Sequence, residues 1–439
     1  MADDVKPIPA AAIDATFART TNLASSALDA RVLACSDEFF AAAANLLTPT
    51  PPVHRPGVFV HTGAWYDGWE TRRHNPAEYD WVVIRLGVGS GLVVGVEIDT
   101  AYFVGNYGEK VLLEGTYLPP STTSSSTTTT AGRTRGSDET APAADGDDDD
   151  NTLHLTEQDR QAMDPSYAHW STILPLQPCG PSQRQAWKLA APAGPITHVR
   201  LRMYPDGGFA RLRLYGHAIP PPPPRPRPLS SSTTAEEKRG EGEEEEEELS
   251  SALMGGLVLA ASNQHFTPAS NLLLPGRGKN MGDGWETARS RTPGHVDWAI
   301  VRLGVPARAV SRVVVDTKDF RGNFPRAVRV HALCSSATTT TTATATSTTT
   351  AAAAAAATGQ RHGGGGGDGA EDDPAHDDAR WTELVRGEQP CTADTEHVFA
   401  GDQLVPRPRD GAAAITHVKL TMVPDGGVKR FRVFGQRLL

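Results

Sequence analysis

The sequence is poor in cysteine and contains no long apolar run. Its 439 residues include four cysteines, which stand far apart and form no Cys-x-x-Cys pair: Cys35, Cys179, Cys334 and Cys391. This spacing argues against a zinc ribbon or a disulfide framework and is typical of a reducing compartment. No apolar stretch approaches the roughly 20 residues that a membrane-spanning helix requires.

Targeting signals are missing as well. Met1 is not followed by the basic and apolar segments of a signal peptide, and the C-terminal Arg-Leu-Leu is not a peroxisomal address. We therefore expect a soluble, intracellular protein with no membrane partner, in the cytoplasm rather than the peroxisome.

Apolar residues are scarce, at 38% of the chain, which is low for a fully globular protein of this size. The deficit is local, because three low-complexity stretches hold almost no large apolar side chains: 119–151, 219–250 and 335–379. Such stretches bury too little apolar surface to offset the entropy lost on ordering. We predict that all three are disordered.

The same stretches explain the acidity of the chain. The net charge is −10, but the three stretches hold 22 acidic and 7 basic residues, so the remainder has a net charge near +5. This weak positive charge suits a small anionic ligand and is too small to indicate a nucleic-acid partner.

The dominant feature that is present is an internal repeat. Asp-Gly-Trp-Glu-Thr occurs at 67–71 and again at 283–287, each time with an arginine two positions later. Further segments recur in the same order: 36–47 with 262–273, 80–87 with 297–304, 96–106 with 313–323, and 196–216 with 415–435. A duplicated module of this size is too large for a solenoid repeat.

The repeat predicts two domains. The first spans 20–218 and contains the insertion 119–151, and the second spans 251–439 and contains the insertion 335–379. The Pro- and Glu-rich stretch 219–250 joins them.

Within each module the matched segments have the pattern of strands. Val199, Leu201 and Met203 alternate with charged residues, which predicts one apolar face. The Pro-Asp-Gly-Gly that follows is a hairpin signal. Many short strands with Gly and Pro between them predict an all-β, antiparallel sandwich.

The motifs resemble one known family. The order SDEFF…NLL, DGWETRR, DW-x₃-RLG, DT-x₂-F-x-GN and ITHV-x-L-x₃-PDGG is similar to that of the allantoicases, and each copy is similar to the corresponding half of that family. The resemblance covers nearly the whole chain outside the low-complexity stretches.

The resemblance implies two jelly-roll modules of the galactose-binding-like type. It also implies a hydrolase acting on linear amidines, which converts allantoate to ureidoglycolate and urea in purine degradation, and it favours a homo-oligomer. The sequence shows no required cofactor; some family members respond to a divalent metal such as manganese, but we identify no ligands for one.

Releasing urea from allantoate requires an acid–base group and a clamp for the substrate carboxylate. Glu70 and Glu286 of the two DGWET segments are candidates for the catalytic acid or base, and pairing with a neighbouring arginine explains them equally well. Arginine suits the clamp because its planar fork binds a carboxylate through two hydrogen bonds.

The clamp candidates are Arg72, Arg73 and Arg289. Arg73 and Arg289 occur in both copies, so a structural salt bridge is an equal alternative. Arg72 faces Ala288 in the second copy, and a residue present in one copy only is not one that every module needs for folding. This asymmetry favours a function for Arg72, with an exposed surface residue as the alternative.

Other polar residues recur in both modules. Asp99 with Asn106, and Asp316 with Asn323, follow a predicted strand and are candidates for substrate binding or for capping loop backbone. His198 and His417 lie on the polar face of a strand; a buried structural histidine and a catalytic acid or base are the two interpretations.

An alternative function belongs to a different class. Galactose-binding-like sandwiches also occur as non-catalytic ligand-binding modules, and a fold does not establish a function. Urea release from allantoate distinguishes the two readings.

Overall fold

A computed structural model describes residues 5–119, 155–223, 246–336, 373–406 and 413–438. The chain divides into two units: the first ends at His217 and the second begins at Ala218, with the short segment Arg19–Thr21 grouped with the second. We call them module 1 and module 2. Most of the predicted insertions 119–151 and 335–379, and of the predicted linker 219–250, lies outside the described residues.

Module 1 is a sandwich of two five-stranded sheets. The first sheet has, from edge to edge, β1 (Val5–Ile8), β11 (Arg184–Ile196), β8 (Gly91–Asp99), β14 (Arg211–Ala218) and β2 (Thr21–Asn22). The second has β10 (Ser171–Pro178), β9 (Lys110–Thr116), β12 (His198–Tyr204), β7 (Asp80–Arg85) and β3 (Arg31–Cys35), and its pairings are antiparallel. The predicted all-β class is confirmed.

The alternating pattern places the core of module 1 between the sheets. On β12 the side chains of Val199, Leu201 and Met203 are fully buried. Arg200 and Arg202 point to the other face, where both pair with Glu114 of the adjacent β9. The period of two predicted from the sequence is therefore the period of the strand.

Two short helices complete module 1: α1 (Ile13–Thr16) and α2 (Glu157–Met163). Thr156 and Asp159 form a capping box that starts α2, because each side chain accepts a hydrogen bond from the backbone N–H of the other. Ala162 of α2 packs with Val83 and Leu118 in a small apolar cluster.

Module 2 repeats this plan with one difference. Its strands are β15 (Glu247–Glu248), β16 (Leu257–Ala261), β18 (Asp297–Asp316), β19 (Ala327–Ser336), β20 (Thr382–Glu383), β21 (Gln389–Pro390), β22 (Glu396–Ala400), β23 (Ala413–Val423) and β25 (Arg430–Arg437). The 20-residue β18 pairs with β16 and β23 in its first part and with β22 and β25 in its second. At the middle of β18 the sequence is Gly-Val-Pro-Ala-Arg, whereas module 1 has Gly-Val-Gly-Ser-Gly at this place. Because glycines weaken a strand, module 1 has two separate strands, β7 and β8, in place of one.

The modules predicted from the repeat, 20–218 and 251–439, leave out two segments that pair with them. β1 pairs with β11, and Ile13 and Phe17 are buried with Ala186 in one apolar cluster. β15 pairs with β25. The first matched segments begin at residues 36 and 262, so the match did not reach these strands, although β15 is the counterpart of β2, which pairs with β14 in module 1.

The remaining elements are short. Two-residue strands form three further pairs: β4 (Phe59–Val60) with β5 (Gly63–Ala64), β6 (Trp69–Glu70) with β13 (Gly208–Phe209), and β17 (Trp285–Glu286) with β24 (Gly427–Val428). Single-turn 3₁₀ helices lie at Ala10–Ala12, Ser26–Leu28, Ala43–Leu47, Ala252–Met254, Ala269–Leu273, Met281–Asp283 and Gly401–Gln403. Within the described residues, no helix is long and apolar enough to cross a membrane.

Candidate active site at the motif end of each module

The DGWET segment of module 1 lies at one end of the sandwich. Its strand β6 pairs with β13 in the Pro-Asp-Gly-Gly segment. The next residue, Ala210, donates its N–H to the carbonyl of Asp99 at the end of β8, at 2.7 Å. We call this region, residues 67–74, 99–106 and 205–211, the motif end of module 1. In module 2 it comprises 283–290, 316–323 and 424–430.

Close packing explains much of the shared sequence. A Cβ atom on Gly68 would lie 2.6 Å from the Phe209 carbonyl oxygen, and one on Gly208 would lie 2.2 Å from the Phe103 ring. Trp69 is fully buried and donates its indole N–H to the Asp37 carbonyl at 2.7 Å. The glycines and aromatics of the motif are therefore needed to assemble this end.

A buried arginine holds the loop in place. The Arg211 side chain is fully buried and donates to the Thr50 carbonyl at 3.0 Å and to the Asp67 carbonyl at 3.0 Å. It also pairs with the Asp67 carboxylate at 2.8 Å, which in turn accepts the Val53 N–H at 2.8 Å. Asp67 therefore has a structural role in this loop.

Glu70 is buried within the motif end. Its side chain is only 6% exposed, and Oε1 accepts a hydrogen bond from Asn106 Nδ2 at 2.7 Å. Burial raises the pKa of Glu70, although the Asn106 hydrogen bond and the charge of Arg73 act in the opposite direction. A carboxyl group with a raised pKa is suited to donate and accept a proton near neutral pH.

Arg73 is oriented by a neighbouring carboxylate. Its Nε lies 3.3 Å from Asp206 Oδ1, and its side chain is 40% exposed. Asp206 also accepts the His74 N–H at 2.8 Å. The described contacts leave the outer nitrogens of Arg73 available to a ligand close to Glu70.

Arg72 is an exposed side chain that contacts Asp37 and Phe39. Its side chain is 66% exposed, 3.7 Å from Asp37, and stacks on Phe39 with 4.7 Å between guanidinium carbon and ring centre. Module 2 has Asn263 in place of Asp37 and Ala288 in place of Arg72. The ion pair was therefore exchanged as a unit, which explains the asymmetry without a catalytic role.

Asp99 is buried at the end of β8. Its Oδ1 accepts the Ala101 N–H at 2.8 Å, which is the capping role. Burial raises the pKa of Asp99, and the nearby charge of Glu97 raises it further, against the effect of the Ala101 hydrogen bond. Module 1 thus holds two buried carboxyl groups with raised pKa values at its motif end.

Module 2 repeats the Glu–Asn pair. Asn323 Nδ2 donates to Glu286 Oε1 at 2.5 Å. Arg289 differs from Arg73, because it donates to the Gly322 carbonyl at 2.5 Å. Asp425, the counterpart of Asp206, accepts the Ser290 backbone N–H at 2.7 Å.

The other carboxylates at the motif end of module 2 are neutralised internally. Arg277 binds both oxygens of Asp316, at 2.7 and 2.8 Å. Lys429, which is fully buried, pairs with Asp283 and with Asp319. Module 1 has Ala210 in place of Lys429. The two motif ends therefore share a fold and differ in charge.

The two candidate histidines lie elsewhere. His198 is the first residue of β12, and the Pro-Asp-Gly-Gly turn follows the last residue of that strand. Seven extended residues span about 20 Å, so His198 does not join Glu70, Arg73, Asp99 and Asn106. The same holds in module 2, where His417 lies in β23. His417 precedes Gly427 by 10 positions, as His198 precedes Gly208 in module 1.

His198 has structural partners. Its Nε2 lies 3.1 Å from Asp159 Oδ1, and Arg85 binds the other oxygen of Asp159 at 2.9 Å. Burial lowers the pKa of His198, and this outweighs the effect of the Asp159 charge. Burial alone would raise the pKa of Asp159, but hydrogen bonds from Thr156 and His198 hold it below its usual value. The pair is a neutral imidazole bound to a carboxylate.

The residues present do not fit a metal site. Among the residues that the structure describes, no group of three or more His, Cys, Asp or Glu side chains is arranged to hold a metal ion. We therefore derive no step through a metal, and the response to manganese stays a prediction without assigned ligands.

Sequence reasoning missed Arg211, Lys429, Arg277 and Asp159. Arg211 alternates with apolar residues like Arg213, so the pattern does not mark it as buried. Asp159 lies in a segment without a matched repeat, but Thr156-x-x-Asp159 is a capping-box pattern that could have placed the start of α2.

The fold and these sites define an all-β protein of two repeated sandwich modules, each with a Glu–Asn pair at its motif end. The family model described as "Allantoicase repeat" matches residues 21–219 and 247–438. The chain belongs to the allantoicase family, and it is a hydrolase.

Individual relatives agree with this assignment. The chain is 43% identical to the allantoicase of Neurospora crassa, over 97% of this chain and 94% of that one. It is 36% identical to the allantoicase of Saccharomyces cerevisiae, over 95% and 94%. The crystal structure of the Saccharomyces cerevisiae allantoicase superimposes with a TM-score of 0.66 at 32% identity, over 98% of this chain and 99% of that one.

Proposed function

We propose that the motif end of module 1 hydrolyses allantoate to ureidoglycolate and urea. The substrate is inferred from the family: allantoate has one carboxylate and a central carbon that bears two ureido nitrogens. The observation that carries the placement is the buried Glu70, which is held by Asn106 beside Arg73 and has a raised pKa. Perturbed acid–base groups of this kind cluster at functional sites.

The ion pairs at the two motif ends favour module 1 as the site of the reaction. In module 2, Asp316 is bound by Arg277, so this carboxylate already has an internal cation. In module 1, Asp99 accepts from a backbone N–H, and Arg73 is not turned toward a backbone carbonyl as Arg289 is. Module 2 is then the structural copy.

The reaction needs a proton at the departing nitrogen. Because Asn106 donates to Glu70 Oε1, the carboxyl proton resides on Oε2, from which it passes to one ureido nitrogen of allantoate. The bond between that nitrogen and the central carbon breaks, and urea leaves. The Glu70 carboxylate then takes a proton from water as the water oxygen bonds to the central carbon. This step restores Glu70 and forms ureidoglycolate.

Arg73 binds the substrate carboxylate in this proposal. Asp206 holds Nε, so the outer nitrogens face the ligand. Asn323 and Glu286 repeat the first pair, but Arg289 is turned to the Gly322 carbonyl. His198 and His417 take no part because they lie at the other end of their strands.

Replacing Arg73 and Arg72 one at a time shows which of them binds the substrate carboxylate. Arg73→Ala is expected to lower kcat/KM about 10- to 100-fold, since a hydrogen-bonded charge contact contributes about 1.5–3 kcal/mol. Arg72→Ala is expected to lower it less than about fivefold, because exposed ion pairs contribute about 0–1 kcal/mol. Steady-state kinetics with allantoate measures both, and Arg289→Ala is the matched control in module 2. A larger loss from Arg72→Ala would transfer the clamp to Arg72.

The activity itself is tested by incubating the purified full chain with allantoate and measuring urea. Stoichiometric urea and ureidoglycolate are expected. If no urea forms, with or without added manganese, the proposal is wrong, and binding of intact allantoate would then favour the non-catalytic reading.

Assembly and compartment stay predictions. None of the four cysteines, all of which lie in the described residues, forms a disulfide, as expected in a reducing compartment such as the cytoplasm. Homo-oligomer formation rests on the family resemblance.

A further inference from the structure

An arginine–histidine pair occurs at the same place in both modules, away from the motif end. His198 lies opposite Arg85 in the pairing of β12 with β7. His417 lies opposite Arg302 in the pairing of β23 with β18. Directly opposed residues share one face of an antiparallel sheet, so each pair presents two donors to the same space.

In module 1 a carboxylate of the chain itself binds this pair. Helix α2 delivers Asp159, which is fully buried. One oxygen lies 3.1 Å from His198 Nε2 and the other accepts from Arg85 at 2.9 Å. The geometry is that of a carboxylate recognised by both donors at once.

In module 2 the corresponding donors have no such partner among the described residues. His417 is 9% exposed, and its Nε2 is buried without a hydrogen-bond partner. Its other nitrogen lies 2.9 Å from Thr416 Oγ1, as His198 Nδ1 lies 2.9 Å from Thr197 Oγ1. A buried polar atom left unpaired costs about 1–3 kcal/mol, which a ligand accepting that hydrogen bond would recover.

The charges around His417 are positive. Arg302 forms no ion pair with any described residue and reaches solvent. The nearby acidic side chains are engaged, since Asp378 binds Arg380 at 2.7 Å and Asp373 pairs with Arg19. Burial, together with the charges of Arg302 and Arg380, lowers the pKa of His417 to about 4. The imidazole is therefore neutral near pH 7.

We propose that His417 and Arg302 form a binding site for a small carboxylate in module 2. The ligand carboxylate takes the position that Asp159 has in module 1: one oxygen accepts from His417 Nε2 and the other from Arg302. Thr416 donates to Nδ1, which leaves the proton on Nε2. This site is separate from the motif end and does not depend on the proposed reaction.

Acetate is the probe for this site. The full chain is labelled at histidine Cε1 with carbon-13, and its spectrum is recorded as sodium acetate replaces sodium chloride at constant ionic strength. The resonance that disappears in His417→Phe is expected to shift saturably. Arg302→Gln, in which the His417 resonance is still observed, is expected to weaken acetate binding about 10-fold.

Module 1 supplies the control within the same spectrum. The His198 resonance is expected not to respond to acetate, because Asp159 already holds its Nε2. In Asp159→Ala it is expected to become acetate-sensitive. The proposal is overturned if the His417 resonance does not shift as acetate replaces chloride, or if Arg302→Gln leaves the affinity unchanged.

Discussion

Glu70→Gln is expected to lower kcat for allantoate by about 10²- to 10⁴-fold, the usual contribution of a positioned acid–base group. The substitution keeps the hydrogen bond with Asn106, because the glutamine carbonyl oxygen accepts as Oε1 does. It removes only the transferable proton. KM is expected to change little, since the clamp at Arg73 is unaltered.

The same variant is expected to be more stable than the wild type at pH 7. The folded-state pKa of Glu70 is raised by burial, so its favourable contribution is complete below its unfolded pKa, about 4.3, and is lost as pH rises through the folded pKa. Glutamine has no charge to desolvate. Thermal unfolding should show an advantage for Glu70→Gln at pH 7 that vanishes near pH 4.

Glu286→Gln is the matched control, because Glu286 has the same amide partner in module 2. It is expected to retain wild-type kcat. Loss of activity from Glu286→Gln with retention in Glu70→Gln would move the active site to module 2. A stability advantage of Glu70→Gln that is as large at pH 4 as at pH 7 would show that Glu70 is not ionised in a buried position.

The sequence predicted what depends on local pattern. Alternation at Val199, Leu201 and Met203 gave the buried face of β12 because side-chain direction in a strand has a period of two. The repeat gave both modules. Periodicity does not say at which end of β12 the loop with Glu70 packs, however. His198 and Glu70 are therefore both acid–base candidates in the sequence, although β12 separates them in the structure.

The pairing of Glu70 with Asn106 could not be predicted from the local pattern. Both were candidates, but they are 36 positions apart, and no local rule joins them. Likewise, Arg211 and Arg213 have the same place in the alternation, while only the packed structure shows that Arg211 is fully buried beneath the loop. Burial of a charge is decided by what covers it, and the covering loop is distant in the chain.

Arg211→Met is expected to destabilise module 1 by about 3–5 kcal/mol, the effect of breaking a buried ion pair by removing one partner. Methionine has a similar length but no donors. The Asp67 carboxylate loses its cation, and the carbonyls of Thr50, Asp67 and Ala210 lose hydrogen bonds that Arg211 supplies. Since this loop precedes Glu70 directly, activity should fall with stability.

Hydrogen exchange localises the effect. In Arg211→Met, amides of residues 50–71 are expected to exchange faster, while those of 283–290 stay protected. Arg430→Met, the counterpart in module 2, should give the reverse, because Arg430 donates to the Asp283 carbonyl. Arg211→Lys keeps the charge but not the fork of donors, so it should recover only part of the loss. Full recovery by lysine would mean that charge alone, and not the hydrogen bonds to the loop carbonyls, holds the motif end together.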